Sequence, residues 1–261
     1  MDFDLTGKGA LVCGSSKGIG KAIAIALAQA GANITLTARN EETLLAVIKE
    51  LDTSQNQQHD FIIADFSQPE ELKEIIYHQL KDTTYQILIN NTGGPPAGNI
   101  ADASPEHFET AFKTHLICNH ILASALVPGM KKSGYGRIIN IISTSVKIPI
   151  RGLGVSNTIR GAVANWSKTL AGELAPYGIT VNNILPGSTN TERLTEIINN
   201  KAQKTGRSIE DIEKEMRAEV PMHRFAEPSE IAAAAAFLAS PQAGYITGIN
   251  IPVDGGRTGS L

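Results

Sequence analysis

A chain of 261 residues that is 42% hydrophobic and 19% charged has the apolar content for one large core, and α/β folds of this length commonly remain a single domain. A formal net charge of -3 gives no electrostatic reason to expect a nucleic acid or an anionic membrane as partner, so small molecules are the expected ligands. The two cysteines, Cys13 and Cys118, have neither the number nor the spacing of a disulfide framework or a zinc site, which suits a reducing, cytoplasmic setting. Residues 1–11 carry Asp2 and Asp4 and lack a basic start followed by an apolar run, so no signal peptide is expected. No segment approaches the roughly 18 consecutive apolar residues that a membrane span needs.

In chain order, short β-rich apolar runs recur at residues 10–13, 33–37, 61–64, 87–89, 137–142, 179–185 and 249–253. Amphipathic stretches of helical length lie between them, at 19–30, 41–51, 69–80, 107–131 and 155–175. This alternation predicts a Rossmann-type, doubly wound, seven-stranded parallel sheet with helices on both faces. The exception is 191–220, a polar, charge-rich stretch containing Gly206 with no strand of its own, which reads as a helical insertion over the site. No repeat or linker divides the chain, so residues 1–261 are expected to form one unit.

The first predicted strand runs into Gly14-Ser15-Ser16-Lys17-Gly18-Ile19-Gly20 and then into an alanine-rich helix. Such a turn lets the backbone approach a pyrophosphate, while the helix that follows presents free N–H groups and a positive dipole end. At the end of the second strand, where an NAD site usually carries an acid for the ribose 2′-hydroxyl, stands Thr37-Ala38-Arg39-Asn40. Arg39 and Lys17 together suit a 2′-phosphate, so NADP(H) is the expected cofactor; the plainer alternative is two solvated surface charges.

With Asn90-Asn91-Thr92-Gly93 after the fourth strand added to that glycine pattern, the sequence resembles the short-chain dehydrogenase/reductase family, and particularly the β-ketoacyl-acyl-carrier-protein reductases. The resemblance runs through Asp65, residues 136–140, Pro186-Gly187, Ile246-Thr247-Gly248 and Val253-Asp254-Gly255-Gly256. It implies that Asp65 and the backbone of Phe66 hold the adenine, that Asn90 supports the strand and the adenosine ribose, and that Asn91 is a cofactor-binding residue. It also implies that Pro186, Gly187, Thr189 and Thr191 contact the nicotinamide, and that the protein is a homotetramer joined through 107–131, 155–175 and the last strand. For Asn90, Asn91 and Asp65, turn and cap roles are the alternative.

Members of this family usually reduce a carbonyl with a serine, a tyrosine, a lysine four residues later and an asparagine from an earlier helix. Here the serine maps to Ser143, but the tyrosine position holds Ser156, the lysine position Arg160 and the asparagine position His115. A serine hydroxyl is a far poorer acid than a phenol, so Ser156 cannot simply take the tyrosine's role. Arg160 lies one helical turn from Ser156 and is expected to hold the cofactor ribose, or else to be a helix-surface charge. His115 is either a proton carrier near neutral pH or a hydrogen-bonded structural residue. Lys147, in the loop after Ser143, is the replacement cation best placed to border the nicotinamide, its alternative being an exposed loop lysine. The expected activity is NADPH-dependent reduction of an activated carbonyl or a conjugated alkene. The alternatives are a catalytically silent NADP(H)-binding protein and a β-ketoacyl reductase with a rearranged relay.

Overall fold

In the computed structural model, which describes residues 3–80 and 83–260, seven parallel strands form one sheet. They are β1 (Gly9–Cys13), β2 (Asn33–Ala38), β3 (Asp60–Ile63), β4 (Ile87–Asn90), β5 (Gly136–Ile141), β6 (Ile179–Pro186) and β7 (Asn250–Val253). Every expected strand is present, with ends displaced by no more than one residue. The strands lie in the order β3-β2-β1-β4-β5-β6-β7, so the winding reverses between β1 and β4. In open α/β sheets the usual ligand position is the crevice at such a reversal, beyond the carboxyl ends of the strands. Asp2, one of the acids in the amino-terminal reading, lies outside the described residues.

Alternation along the strands explains the two layers of helix. Ala10 and Val12 of β1 join Ile87 and Ile89 of β4 in a core shared with α1 (Gly18–Gln29), α2 (Glu41–Ile48) and α9 (Pro228–Ala239). Leu11 and Leu88 point to the opposite face, against α3 (Pro69–Gln79), α5 (Cys118–Ser133) and α6 (Gly154–Leu174). A sheet with both faces apolar must be covered twice.

The long helix expected at 107–131 is interrupted. It consists of α4 (Pro105–Phe112), one π-helical turn at Lys113–Ile117, and α5. A single extra residue in one turn leaves the apolar pattern almost unchanged, so periodicity does not reveal it. The 191–220 stretch forms two helices, α7 (Glu192–Thr205) and α8 (Ile209–Ala218), broken at Gly206, whose φ is +69°. Leu194, Ile198, Ala202, Ile212 and Phe225 give this lobe a small core of its own. Among the described residues no helix is long and apolar enough to cross a membrane.

Across four adjacent strands runs a ladder of asparagines in register, Asn90 with Asn140, Asn140 with Asn183 and Asn183 with Asn250. Each side-chain amide donates to the next carbonyl at 2.8 Å, and the Asn140 amide also donates to Ser167 on α6 at 3.3 Å. A buried polar group is inexpensive only while it is paired. Asn140→Ala should therefore destabilise the fold by about 2–4 kcal/mol, since it strands both neighbours. Urea unfolding at unchanged slope would measure the loss.

Candidate functional site

The glycine loop lies at the switch point, and its geometry is set by close backbone contact. A Cβ on Gly14 would sit 2.5 Å from the Asn91 carbonyl oxygen, and one on Gly20 2.2 Å from the Gly14 carbonyl oxygen. Gly14 and Gly18 also have φ of +56°, which favours glycine. The Asn91 amide donates to the carbonyls of Cys13 and Gly14 at 3.3 and 3.1 Å, so the loop after β4 holds the loop after β1. Helix α1 then begins with no side-chain cap, leaving its first amides for an anion. Uncapped amides and side-chain-free backbone fit a pyrophosphate. Sequence reasoning overlooked Ser15, which is fully buried and whose Oγ accepts from Thr37 N at 2.9 Å, tying the loop to β2. The signal for it, a small polar residue inside the glycine motif, is common to many turns. Ser16 and Ile19 lie half-buried in the same loop.

On the adenosine side, Arg39 is exposed just past β2 and Asp65 follows β3. The Asp65 carboxylate accepts from Ser67 N at 2.8 Å; that bond, aided by the Arg39 charge, holds it below the usual carboxylate range. The Phe66 ring is buried in the core, so only its backbone is left for a ligand. Lys17 is exposed and forms an ion pair with Glu192, the first residue of α7. A pair this exposed is weak, and its ammonium can be exchanged onto a phosphate.

On the other side of the crevice, Pro186 ends β6 and Gly187 packs so closely that a Cβ would lie 2.7 Å from Asp254 Cα. Thr189 donates to Gly187 O at 3.1 Å and Thr191 to Thr189 O at 3.2 Å. Thr191 also caps α7, and its methyl would lie 3.3 Å from a Cβ on Gly18. The α7–α8 lobe therefore begins against the glycine loop.

Of the candidate catalytic residues, Ser143 follows β5 and Arg160 reaches its last residue. Ser143 Oγ accepts from Ser145 N at 3.1 Å, which leaves its hydroxyl proton to donate. Lys147 is half-buried at the end of the short turn Thr144–Val146, and Ser156 is half-buried at the start of α6. Arg160 is not the surface charge that was its alternative reading, being buried with its Nη1 donating to Ile141 O at 3.1 Å. His115, buried in the π-helical turn, has Nδ1 2.6 Å from Thr92 Oγ1. Burial, reinforced by the Arg160 charge, pushes His115 down to about 3, so it is neutral at physiological pH, which favours the hydrogen-bonded structural reading over the neutral-pH proton carrier.

No phenol replaces the one missing from α6. Tyr85, Tyr135, Tyr177 and Tyr245 precede β4, β5, β6 and β7, which places them at the amino edge of a parallel sheet, opposite the site. Tyr77 is exposed near the carboxyl end of α3, which leads to that same edge. Both cysteines are buried, and burial raises their thiol pKa values, Cys118 to about 12.

Comparison with known proteins agrees with this geometry. Residues 14–258 match the family described as enoyl-(acyl carrier protein) reductase. The NADPH-dependent reductase BacG of Bacillus subtilis is 30% identical over 254 residues, which cover 97% of this chain and 98% of BacG. The 3-oxoacyl-[acyl-carrier-protein] reductase FabG of Vibrio cholerae is 34% identical over 259 residues, covering 97% of this chain and 98% of FabG. L-sorbose reductase from Gluconobacter frateurii, crystallised with NADPH and L-sorbose, superposes with a TM-score of 0.93 at 31% identity over 100% of both chains. A match spanning nearly the whole chain, on a fold whose glycine loop and switch point are those of a dinucleotide site, means that this chain belongs to the short-chain dehydrogenase/reductase family, among its enoyl-(acyl carrier protein) reductase-like members.

Proposed function

We propose that this chain is an NADPH-dependent oxidoreductase acting on an activated small molecule, and that an alkene conjugated to a carbonyl suits its site better than an isolated ketone. The observation that carries this reading is the absence of any tyrosine at the carboxyl edge of the sheet among the described residues. When bound, NADPH supplies a hydride equivalent. Reduction of a ketone leaves an alkoxide that needs a good acid at once, and a serine hydroxyl is a poor one. Reduction of an enone at its β-carbon leaves an enolate, a much weaker base, which fixed donors can stabilise until water protonates it. In this reading Ser143 donates its free proton to that oxygen and Lys147 supplies charge beside it. Ser156 replaces the phenol without inheriting its chemistry.

Glycines 14, 18 and 20 with Ser16 and Ile19 cradle the pyrophosphate, and Asp65, Phe66 and Asn91 border the adenosine. Pro186, Gly187, Thr189 and Thr191 border the nicotinamide. Arg39 and Lys17 select the 2′-phosphate, with Lys17 leaving Glu192 to do so. A catalytically silent NADP(H)-binding role is the second reading, favoured by the replaced relay. Relatives named as reductases over nearly their whole lengths weigh against it. We place the protein in the cytoplasm as a homotetramer. Half-buried Trp166 and Leu170 on α6 and exposed Phe112 and Ile249 supply apolar surface for contact.

NADPH should bind at least about tenfold tighter than NADH, equivalent to roughly 1.4 kcal/mol, and Arg39→Asp should reverse the order. Equal dissociation constants by fluorescence titration would remove the assignment of Lys17 and Arg39. Across a panel of ketones and enones, cofactor oxidation should be confined to enones, and Ser143→Ala and Lys147→Ala should each slow it roughly 100-fold. Because His115 stays neutral down to about pH 3, the rate should show no ionisation from it between pH 5 and 8, and His115→Gln should leave the profile's shape unchanged. Efficient reduction of simple β-keto thioesters would support a rearranged relay instead. Light scattering at micromolar concentration should give the tetramer mass, and a monomer mass would reject that assembly.

A further inference from the structure

Lys17 stands at the N-cap of α1, yet its ammonium is held from a distant part of the chain, by the carboxylate of Glu192. Glu192 is the first residue of α7, directly after Thr191, whose side chain caps that helix and approaches Gly18. The next residue, Arg193, donates from Nη2 to Pro95 O at 3.1 Å. The first turn of α7 is thus fastened to both loops of the switch point, to the glycine loop through Glu192 and to the loop after β4 through Arg193. Behind it, Ala226 N donates to Ser188 O at 2.9 Å and Asn190 N to Ala226 O at 2.8 Å, so the two ends of the α7–α8 lobe are pinned together just past β6. A lobe with its own small core, pinned at its base, shifts as a unit when such a fastening is released.

Of the two fastenings, the one on the glycine loop is open to exchange of charge. The side chains of Lys17 and Glu192 are 65% and 68% exposed, so their pair is weak and screened. A phosphate monoester near neutral pH carries a charge of about −1.5 to −2 and three strong acceptor oxygens, where a carboxylate carries a single charge and two. A 2′-phosphate therefore draws Lys17 from Glu192, and one that Lys17 holds while still paired stands beside a like charge. A 2′-hydroxyl has neither effect.

We infer that Glu192 is the residue through which the α7–α8 lobe senses the cofactor: it holds Lys17 until a 2′-phosphate takes its place, so NADPH unfastens α7 from the glycine loop and NADH does not. This rests on the reading that Lys17 takes the 2′-phosphate. It makes Glu192 a brake on NADPH binding, set against Lys17 and Arg39, with no effect on NADH.

The test is a double-mutant cycle on the intact protein, with NADPH and NADH dissociation constants read by fluorescence titration. Glu192→Gln should tighten NADPH about threefold and leave NADH unchanged, while Lys17→Met should weaken NADPH roughly tenfold. In the Lys17→Met background Glu192→Gln should do nothing, because the brake acts through Lys17. Amide hydrogen exchange supplies an independent reading of the fastening. With each cofactor saturating, the first two turns of α7 should exchange about two- to fivefold faster under NADPH than under NADH, and Glu192→Gln should erase that difference. Unaltered NADPH affinity in Glu192→Gln, a gain that persists without Lys17, or equal exchange under the two cofactors in the wild type would each overturn the inference. An unchanged preference for NADPH in Lys17→Met overturns the underlying reading of Lys17 instead, so the two failures are distinguishable.

Discussion

Two loops meet at the switch point with no room for a side chain between them, and the rest of the site is arranged around that contact. Gly14 and Gly20 lie against Asn91 and against each other at distances that only backbone can occupy, and the Asn91 amide bonds both Cys13 and Gly14. The contact fixes where α1 begins and leaves its first amides aimed into the crevice. The winding reversal between β1 and β4 makes the meeting possible, since it brings the loops after those two strands together at one edge. Ser15 extends the same rigidity to β2, and the asparagine ladder carries it from β4 to β7.

On the proposed reading, the site beyond β5 works by charge more than by proton transfer. The histidine is held neutral, no phenol lies at this edge among the described residues, and Arg160, buried at the end of β5, donates to the Ile141 carbonyl. Such a set of groups is poor at delivering protons and well suited to stabilising a fixed negative oxygen.

The strands were legible because each is a short apolar run bounded by turns, and parallel strands buried on both faces carry that signal throughout. The glycine loop was legible because only glycine tolerates its contacts, which fixes residue type as well as spacing. What stayed hidden depends on residues distant in sequence. Nothing near Arg160 in the chain announces its burial, which follows from how α6 crosses the end of β5. Lys17 gives no local sign of Glu192, 175 residues away, and the four asparagines are unremarkable until strand register aligns them. The π-helical turn that seats His115 escapes periodicity because it adds one residue to an otherwise regular helix.

The central claim is that this site completes a reduction without a phenolic acid, by stabilising an enolate. The most direct measurement is a single turnover of an enone with NADPH deuterated at the transferable position, in ordinary water, followed by NMR of the product. The account predicts a saturated carbonyl compound with deuterium on the β-carbon and solvent protium on the α-carbon. Deuterium on a carbinol carbon, with the alkene intact, would mean that the site protonates an alkoxide and would contradict it.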